Sequence, residues 1–316
     1  MDYRLLGNTG LRVSALCFGT LPMGPLQAGV SIEQGAAIIR RALDLGVNYI
    51  DTAQMYKTYP HIRNALKDYR GNVVISSKTV SCAYEDMRNA IDEALTGMGI
   101  CHVDIMYLHA ARTTPAVFTE RAGALKCLAD AKREGLIRAA GISTHSVEVV
   151  RAAGDVPDID VIMPIINMAG VGIIGGDLAG MMSAVDYAVR RGKAVVAQKA
   201  LAGGHLIERF DEAVRFVLDT PGVSSIAVGM VSLDEVEADV AVFEGRPVAP
   251  AVLSRIGKNT KSLMVQSFCK GCRACEKACP SGAIKVADGR AVVDHDKCVL
   301  CGYCCPVCPE FNIRLA

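Results

Sequence analysis

Nine of the thirteen cysteines in this 316-residue chain fall between positions 269 and 308, and their spacing limits what the segment can fold into. They read Cys269-x2-Cys272-x2-Cys275-x3-Cys279-Pro280, then Cys298-x2-Cys301-x2-Cys304-x3-Cys308-Pro309, with Cys305 left over. Each half is a run that ligates iron–sulfur cubes, its fourth cysteine crossing to the neighbouring cluster. Four soft thiolates must converge on each cube. Tight two-residue loops supply three of them from one turn, and the fourth comes from a distant part of the chain. C-x2-C pairs also bind zinc, but zinc accounts neither for a third cysteine at the same spacing nor for a fourth before proline, twice over. A secreted disulfide scaffold would need pairing throughout and a signal segment, and the opening MDYRLLGNTG has no apolar stretch of that kind. The remaining Cys17, Cys82, Cys101 and Cys127 have no partner at ligand spacing and read as small core residues.

Residues 266–316 resemble a bacterial-type two-cluster ferredoxin domain. The resemblance implies two [4Fe–4S] clusters, one held by Cys269, Cys272, Cys275 and Cys308, the other by Cys298, Cys301, Cys304 and Cys279. Such clusters survive best in a reducing compartment, so the expected location is cytoplasmic. Residues 250–316 carry ten Lys/Arg against five Asp/Glu; these bases either offset the negative clusters or form a solvated face. The whole chain has a net charge of only +1, which gives no reason to expect a nucleic-acid partner. The most apolar stretch, residues 161–176, is broken by Pro164, Asn167 and four glycines, so no membrane span is expected either.

Upstream, the pattern changes. Short β-branched runs at 15–18, 47–51, 72–78, 103–109, 137–144, 161–167, 194–200 and 224–229 alternate with amphipathic stretches. In residues 82–98 the apolar Ala83, Met87, Ala90, Ile91, Ala94, Leu95 and Met98 form one helical stripe. Ser31-Ile-Glu-Gln34 is a capping box, and Gly46 closes the helix that it opens. Eight strand–helix units predict an α/β fold, a (β/α)8 TIM barrel. A doubly wound open sheet would want a G-x-G-x-x-G after the first strand, and Cys17-Phe-Gly-Thr20 lacks it. Gly7-Asn8-Thr9-Gly10 between two short runs predicts an N-terminal β-hairpin that plugs the lower end of the barrel. The expected division is a barrel over 1–246, a linker with a short helix over 247–265, and a small α+β ferredoxin-like iron–sulfur domain over 266–316.

In such a barrel, chemistry collects where strands end at the C-terminal mouth. Those ends carry Asp51, Lys78 and His109, with Tyr56 on the loop after Asp51. An acid, an amine, an imidazole and a phenol around one mouth make a proton-donor site, in which Lys78 is expected to lower the pKa of Tyr56 while Asp51 holds the ammonium. Tyr59, His61, Arg112 and His145 are further candidates for the rim. The segments Asp51-Thr-Ala-Gln-Met-Tyr56, Ser76-Ser-Lys78 and Asp104-Ile-Met-Tyr-Leu-His109 resemble the tetrad motifs of the aldo-keto reductases, and Tyr3-Arg-Leu-Leu-Gly7 resembles their N-terminal hairpin.

That resemblance implies a barrel that binds NADPH or NADH without a Rossmann fold and reduces a small-molecule carbonyl, an aldehyde or ketone. Tyr56 would be the general acid, Lys78 and Asp51 would tune it, and His109 would position the carbonyl. It also implies nucleotide contacts from Ser143, Thr144, Asn167, Gln198, Lys199 and Gly203, completed by Gly229, Glu235 and Asp239. Thr144 stands where an Asn is common, Met163 where a Gln is, and Gln198 where an aromatic usually stacks on the nicotinamide. Residues 221–245 hold five acids (Asp234, Glu235, Glu237, Asp239, Glu244) and no Lys or Arg, so no cation there meets a 2′-phosphate. The sequence therefore predicts a weak preference for NADPH, or use of NADH. A hydride carries two electrons and an iron–sulfur cube passes one, and no flavin motif bridges the two. The alternative to a carbonyl reductase is thus an electron-transfer or redox-sensing protein, served by a redox partner protein, with the barrel as scaffold. An enzyme drawing electrons through the clusters to a bound substrate is a third reading. In each, the cluster domain is expected near the barrel mouth.

Overall fold

A computed structural model describes residues 1–256, 262–310 and 312–315. The chain opens with β1 (Tyr3–Leu5) and β2 (Arg12–Ser14), paired antiparallel across the Gly7–Gly10 turn, in which both glycines have positive φ. Eight parallel strands then close into a barrel: β3 (Leu16–Gly19), β4 (Tyr49–Asp51), β5 (Val74–Thr79), β6 (Val103–His109), β7 (Ile137–Thr144), β8 (Val161–Pro164), β9 (Ala194–Gln198) and β10 (Val223–Gly229). The ring is sealed by β10 pairing with β3, Ile226 opposite Leu16 through Gly229 opposite Gly19. Every strand run expected from the sequence supplies one stave.

Around it run α1 (Ile32–Asp44), α2 (Tyr59–Leu66), α3 (Tyr84–Met98), α4 (Val117–Glu120), α5 (Ala122–Arg133), α6 (Val147–Ala153), α7 (Leu178–Arg190), α8 (Phe210–Leu218) and α9 (Leu233–Phe243). The Ser31 hydroxyl accepts from the Gln34 amide, so the expected cap forms. The α3 stripe buries Met87, Ala90, Ile91, Ala94 and Met98 against the strands. Two strands stop before the ends of their apolar runs. Pro164 ends β8, and Lys199, at φ +61°, turns the chain out of the sheet after β9.

The barrel interior is filled by Cys17, Tyr49, Val74, Ile105, Tyr107, Ala139, Val161, Met163, Ala194 and Val196, and the hairpin adds Leu6, Leu11 and Val13 to this same cluster. Gly7 lies so close to Ala194, the first residue of β9, that a Cβ on it would come within 2.8 Å of the alanine methyl. The hairpin thus plugs the end at which the strands begin, and the mouth at the other end is left for a site.

Beyond the barrel, α10 (Pro250–Ile256) packs on α9. Part of the expected linker, residues 257–261, lies outside the described residues. Its last three residues form β11 (Leu263–Val265), which pairs antiparallel with β14 (Ile313–Leu315). Between them come α11 (Ala274–Ala278) and the hairpin of β12 (Ile284–Ala287) and β13 (Arg290–Val293). Asp288 and Gly289 both have positive φ, the turn that matches strand twist in a two-residue hairpin. Leu263, Ala283, Ile284, Ala291 and Ile313 form a small core together with the cysteines. Among the described residues no helix is long and apolar enough to cross a membrane.

Because Leu11 is 1% exposed within the interior cluster, Leu11→Ala is expected to destabilise the barrel by about 2–5 kcal/mol. Denaturant unfolding followed by circular dichroism measures this; a loss near zero would mean that the hairpin does not seal the core.

Candidate active site

Asp51 ends β4, Lys78 is the penultimate residue of β5 and His109 ends β6, so three neighbouring staves bring them to one mouth. A 3-10 turn, Gln54–Tyr56, carries the phenol back over them. Lys78 is 1% exposed. Its Nζ donates to Asp51 Oδ2 at 2.5 Å and to the Thr52 carbonyl at 2.8 Å. Asp51 Oδ1 accepts from the Ser76 hydroxyl at 2.7 Å. The ammonium stands 5.3 Å from the centre of the Tyr56 ring, within cation–π range. Tyr56 and His109 meet edge to face, with centroids 6.1 Å apart. All four groups expected at the mouth are brought together.

Burial pulls the Lys78 pKa down, but the Asp51 carboxylate and Tyr56 leave it above the ordinary lysine value. The expected lowering of Tyr56 does not occur. Burial, with Tyr303 and Asp51 adding to it, pushes the phenol well above its usual range, and the opposing pull of Lys78 is smaller. A phenol sealed from water has nothing to solvate its anion. His109 is held well below the usual histidine range, first by burial and then by Lys78, so it is neutral. Its Nδ1 is buried with no partner among the described residues, while Nε2 lies 3.1 Å from the Tyr303 hydroxyl.

The expected nucleotide contacts are engaged within the chain. Gln198 donates to Ser143 Oγ at 3.0 Å and to the Met163 carbonyl at 2.9 Å. Asn167 closes on the backbone of Val171 with both ends of its amide, and Thr144 Oγ1 accepts from the Ser146 amide. Glu235 accepts from the Val231 amide, and Asp239 is buried on the same helix. Gly229, at the end of β10, lies under Pro22. Lys199 and Gly203 face Val299, a residue of the cysteine-rich unit.

That unit sits on the barrel mouth. Val299 is 1% exposed and belongs to the barrel's own hydrophobic core. A Cβ on Gly203 would come within 2.6 Å of the Val299 backbone, and one on Gly172 within 2.9 Å of its side chain. A Cβ on Gly302 would meet the Leu26 carbonyl at 2.5 Å. All three glycines have positive φ as well, so side chains are excluded twice over. Barrel side chains donate to backbone carbonyls of the unit: Gln27 to Leu300 at 3.2 Å, Lys199 to Val299 at 3.4 Å, His205 to Cys298 at 2.9 Å and Arg112 to Cys279 at 3.0 Å. Of the further rim candidates, Arg112 is therefore at the junction. His145 is buried nearby, its pKa held down to about 3 by burial and Lys199. Tyr59 and His61 turn away, bonding Ser77 and the Val30 carbonyl.

Cys279, Cys298, Cys301 and Cys304 line one cavity. The Ala283 amide donates to Cys279 Sγ at 3.2 Å and the Asn312 amide to Cys308 Sγ at 3.3 Å, so both Cys-Pro halves repeat the same i+4 bond. The Ala291 amide reaches Cys269 Sγ at 3.4 Å. Four thiols around one space, with amides aimed at sulfur, fit an iron–sulfur cube in donor chemistry.

Residue order alone gives no sign of Tyr303. Its hydroxyl lies 3.3 Å from that of Tyr56 and 3.1 Å from His109 Nε2, and its ring stands at 84° to the imidazole. A tyrosine inside a C-x2-C loop carries no local signal; only the docking of the two units shows what it meets.

Breaking a buried ion pair on one side leaves a charge uncompensated. Asp51→Asn is expected to cost about 3–5 kcal/mol, and Asp51→Asn with Lys78→Met much less. Chemical denaturation of the two variants checks this; equal losses would mean that an uncompensated Lys78 charge is not what the single variant loses.

Comparison with known proteins bears on the fold and on both parts of the chain. The Aldo/keto reductase family matches residues 15–213, and the 4Fe-4S dicluster domain matches residues 268–312. L-galactose dehydrogenase of Arabidopsis thaliana is 27% identical over 285 residues, covering 76% of this chain and 88% of that protein. One component of the ion-translocating oxidoreductase complex of Methanosarcina acetivorans is 44% identical over 59 residues, 19% of this chain and 22% of that component. A crystal structure assigned to the aldo-keto reductases, from Pseudomonas aeruginosa, superposes with a TM-score of 0.67 at 25% identity, covering 77% of this chain and 94% of its own. The chain belongs to the aldo/keto reductase family and carries a 4Fe–4S dicluster domain after its barrel.

Proposed function

We propose that this protein reduces an aldehyde or ketone at the barrel mouth with Tyr56 as general acid, and that residues 266–316 hold two [4Fe–4S] clusters. The observation that carries this reading is the buried Asp51–Lys78 pair under the Tyr56 ring, with neutral His109 beside it. NADPH or NADH, when bound, supplies the hydride. Ser143, Thr144, Asn167, Gln198, Lys199, Gly203, Gly229, Glu235 and Asp239 are the residues proposed to hold it.

The chain's own groups then manage the oxygen. Tyr56, pushed up by burial, is fully protonated at neutral pH and has a proton to give. Lys78 stabilises the phenolate left behind, and Asp51 with the Thr52 carbonyl fixes where that ammonium points. His109, neutral, donates from Nε2 to the carbonyl oxygen and orients it. Cys269, Cys272, Cys275 and Cys308 are proposed to hold one cluster, and Cys279, Cys298, Cys301 and Cys304 the other, each passing one electron at a time. The barrel over 1–246, the joining segment over 247–265 and the cluster unit over 266–316 are the proposed divisions.

A second reading, an electron-transfer or redox-sensing protein on a barrel scaffold, is favoured by one observation: Val299 fills space beside Lys199 and Gly203. Anaerobic purification with about eight iron and eight sulfide per chain fits both readings. Turnover separates them. Tyr56→Phe is expected to lower kcat for aldehyde reduction by roughly 10²–10⁴-fold, and no NAD(P)H oxidation on any aldehyde would leave the scaffold reading. Since Tyr56 is held above its usual pKa and His109 below its own, neither changes charge near neutrality, so kcat/KM should be flat from about pH 6 to pH 9. A break inside that window would overturn the assignment. NADPH and NADH titrations are expected to differ by less than about a hundredfold, since no cation stands in residues 221–245 for the bidentate phosphate contact.

A further inference from the structure

Tyr303 takes no part in the chemistry proposed above, yet among the described residues of the cysteine-rich unit it is the one whose side chain hydrogen-bonds to the tetrad. Its hydroxyl bonds Tyr56 and His109 together, at 3.3 and 3.1 Å. Those are the two partners that a reacting carbonyl oxygen requires, and one oxygen fills the place between them. We propose that Tyr303 decides access to the tetrad: its phenol occupies the seat of the substrate oxygen, and a substrate enters as Tyr303 leaves. This inference rests on the reading of Tyr56 and His109 as that seat.

The surroundings of the ring support an occupant built into the fold. Tyr303 packs with Leu21, Leu26, Met55, Ala53 and Tyr56 in a small apolar cluster at the mouth. It is placed there by the loop carrying Cys298, Cys301 and Cys304, whose close approach depends on Gly172, Gly203 and Gly302. Lys199, His205 and Gln27 add hydrogen bonds to three successive carbonyls of that loop. A stray surface tyrosine would need none of this.

The seat's shape also points to a substrate class. It holds a flat six-membered ring with its oxygen toward Tyr56 and His109, in a cluster whose other members include the aliphatic Leu21, Leu26, Ala53 and Met55. A compact aromatic carbonyl, of the size of benzaldehyde, makes the same contacts. Sugars and other densely hydroxylated carbonyls would place polar groups against Leu21, Leu26 and Met55 without partners, at a cost.

The competing role for Tyr303 is a relay that hands a proton to Tyr56, and the two roles predict opposite kinetics. The test uses the anaerobically purified, iron-loaded protein with Tyr303→Gly and Tyr303→Phe. The binding probe is p-cresol, the tyrosine side chain freed from the backbone. By calorimetry p-cresol is expected to bind Tyr303→Gly roughly tenfold or more tightly than wild type, since a filled seat reduces apparent affinity by the fraction that is open. Tyr303→Phe keeps the ring in place and should exclude p-cresol as wild type does. For benzaldehyde, KM should fall in Tyr303→Gly with kcat retained, and p-cresol should compete.

Equal p-cresol binding by wild type and Tyr303→Gly would overturn the proposal. So would a loss of kcat at unchanged KM in both variants, which is the mark of a proton relay. If Tyr303→Gly loses iron, Tyr303→Ala replaces it under the same two criteria. If no variant turns over benzaldehyde while p-cresol binds only the opened one, Tyr303 still closes the mouth, but the seat is not that of a benzaldehyde oxygen and the substrate class proposed here is overturned.

Discussion

An ammonium group with almost no access to water sits at the centre of this molecule, and the mouth is arranged around keeping it charged. Removing Lys78 from solvent costs several kcal/mol unless its charge is met closely and its protons are used. Asp51 and the Thr52 carbonyl do this from the adjacent stave, and Ser76 occupies the second carboxylate oxygen. These demands fix the register of β4 against β5, where Asp51 lies opposite Ser76. The same charge helps to hold His109 neutral and lies below the Tyr56 ring. One electrostatic requirement therefore sets the places of four side chains from three strands and a turn.

The second constraint is steric. Apart from the side chains of Val299 and Tyr303, the cysteine-rich unit meets the barrel largely through backbone, at points where one of the two facing residues is a glycine. Gly172, Gly203 and Gly302 allow approaches that any Cβ would block, and hydrogen bonds from Gln27, Lys199, His205 and Arg112 end on carbonyls rather than on side chains. Backbone contacts fix position tightly while leaving the cysteines free to serve as ligands. The barrel touches the Cys279, Cys298 and Cys301 side of the unit, whereas Cys272 is exposed. The two halves of the cysteine pattern, nearly identical in sequence, thus occupy unlike environments.

Much of this is legible in residue order. Strand runs, the Ser31 cap, the Gly7–Gly10 turn and the polar strand ends are local patterns, and local patterns give elements and their order. The tetrad is legible because a parallel barrel brings the ends of successive strands to one rim whatever lies between them. The protonation of Tyr56 is not, because burial of a phenol depends on what covers it, and the cover comes from residue 303. Lys199 and Gly203 read as nucleotide contacts because a glycine-rich loop at a barrel mouth suits a pyrophosphate. It suits a closely packed backbone equally well, and the sequence does not say which arrives. Tyr59 and His61 read as rim residues and are not, for a related reason: they fall on α2, whose turn directs them toward Ser77 and Val30 instead.

Tyr303 and the groups it touches are parts of one polypeptide, 247 residues from Tyr56 and 194 from His109. An occupant attached to its own receptor has an effective concentration that dilution leaves unchanged. Latency in this barrel is consequently unimolecular, the same in a crowded cell and in a cuvette. Dialysis cannot wash it away, and a soluble competitor must outbid a tethered one.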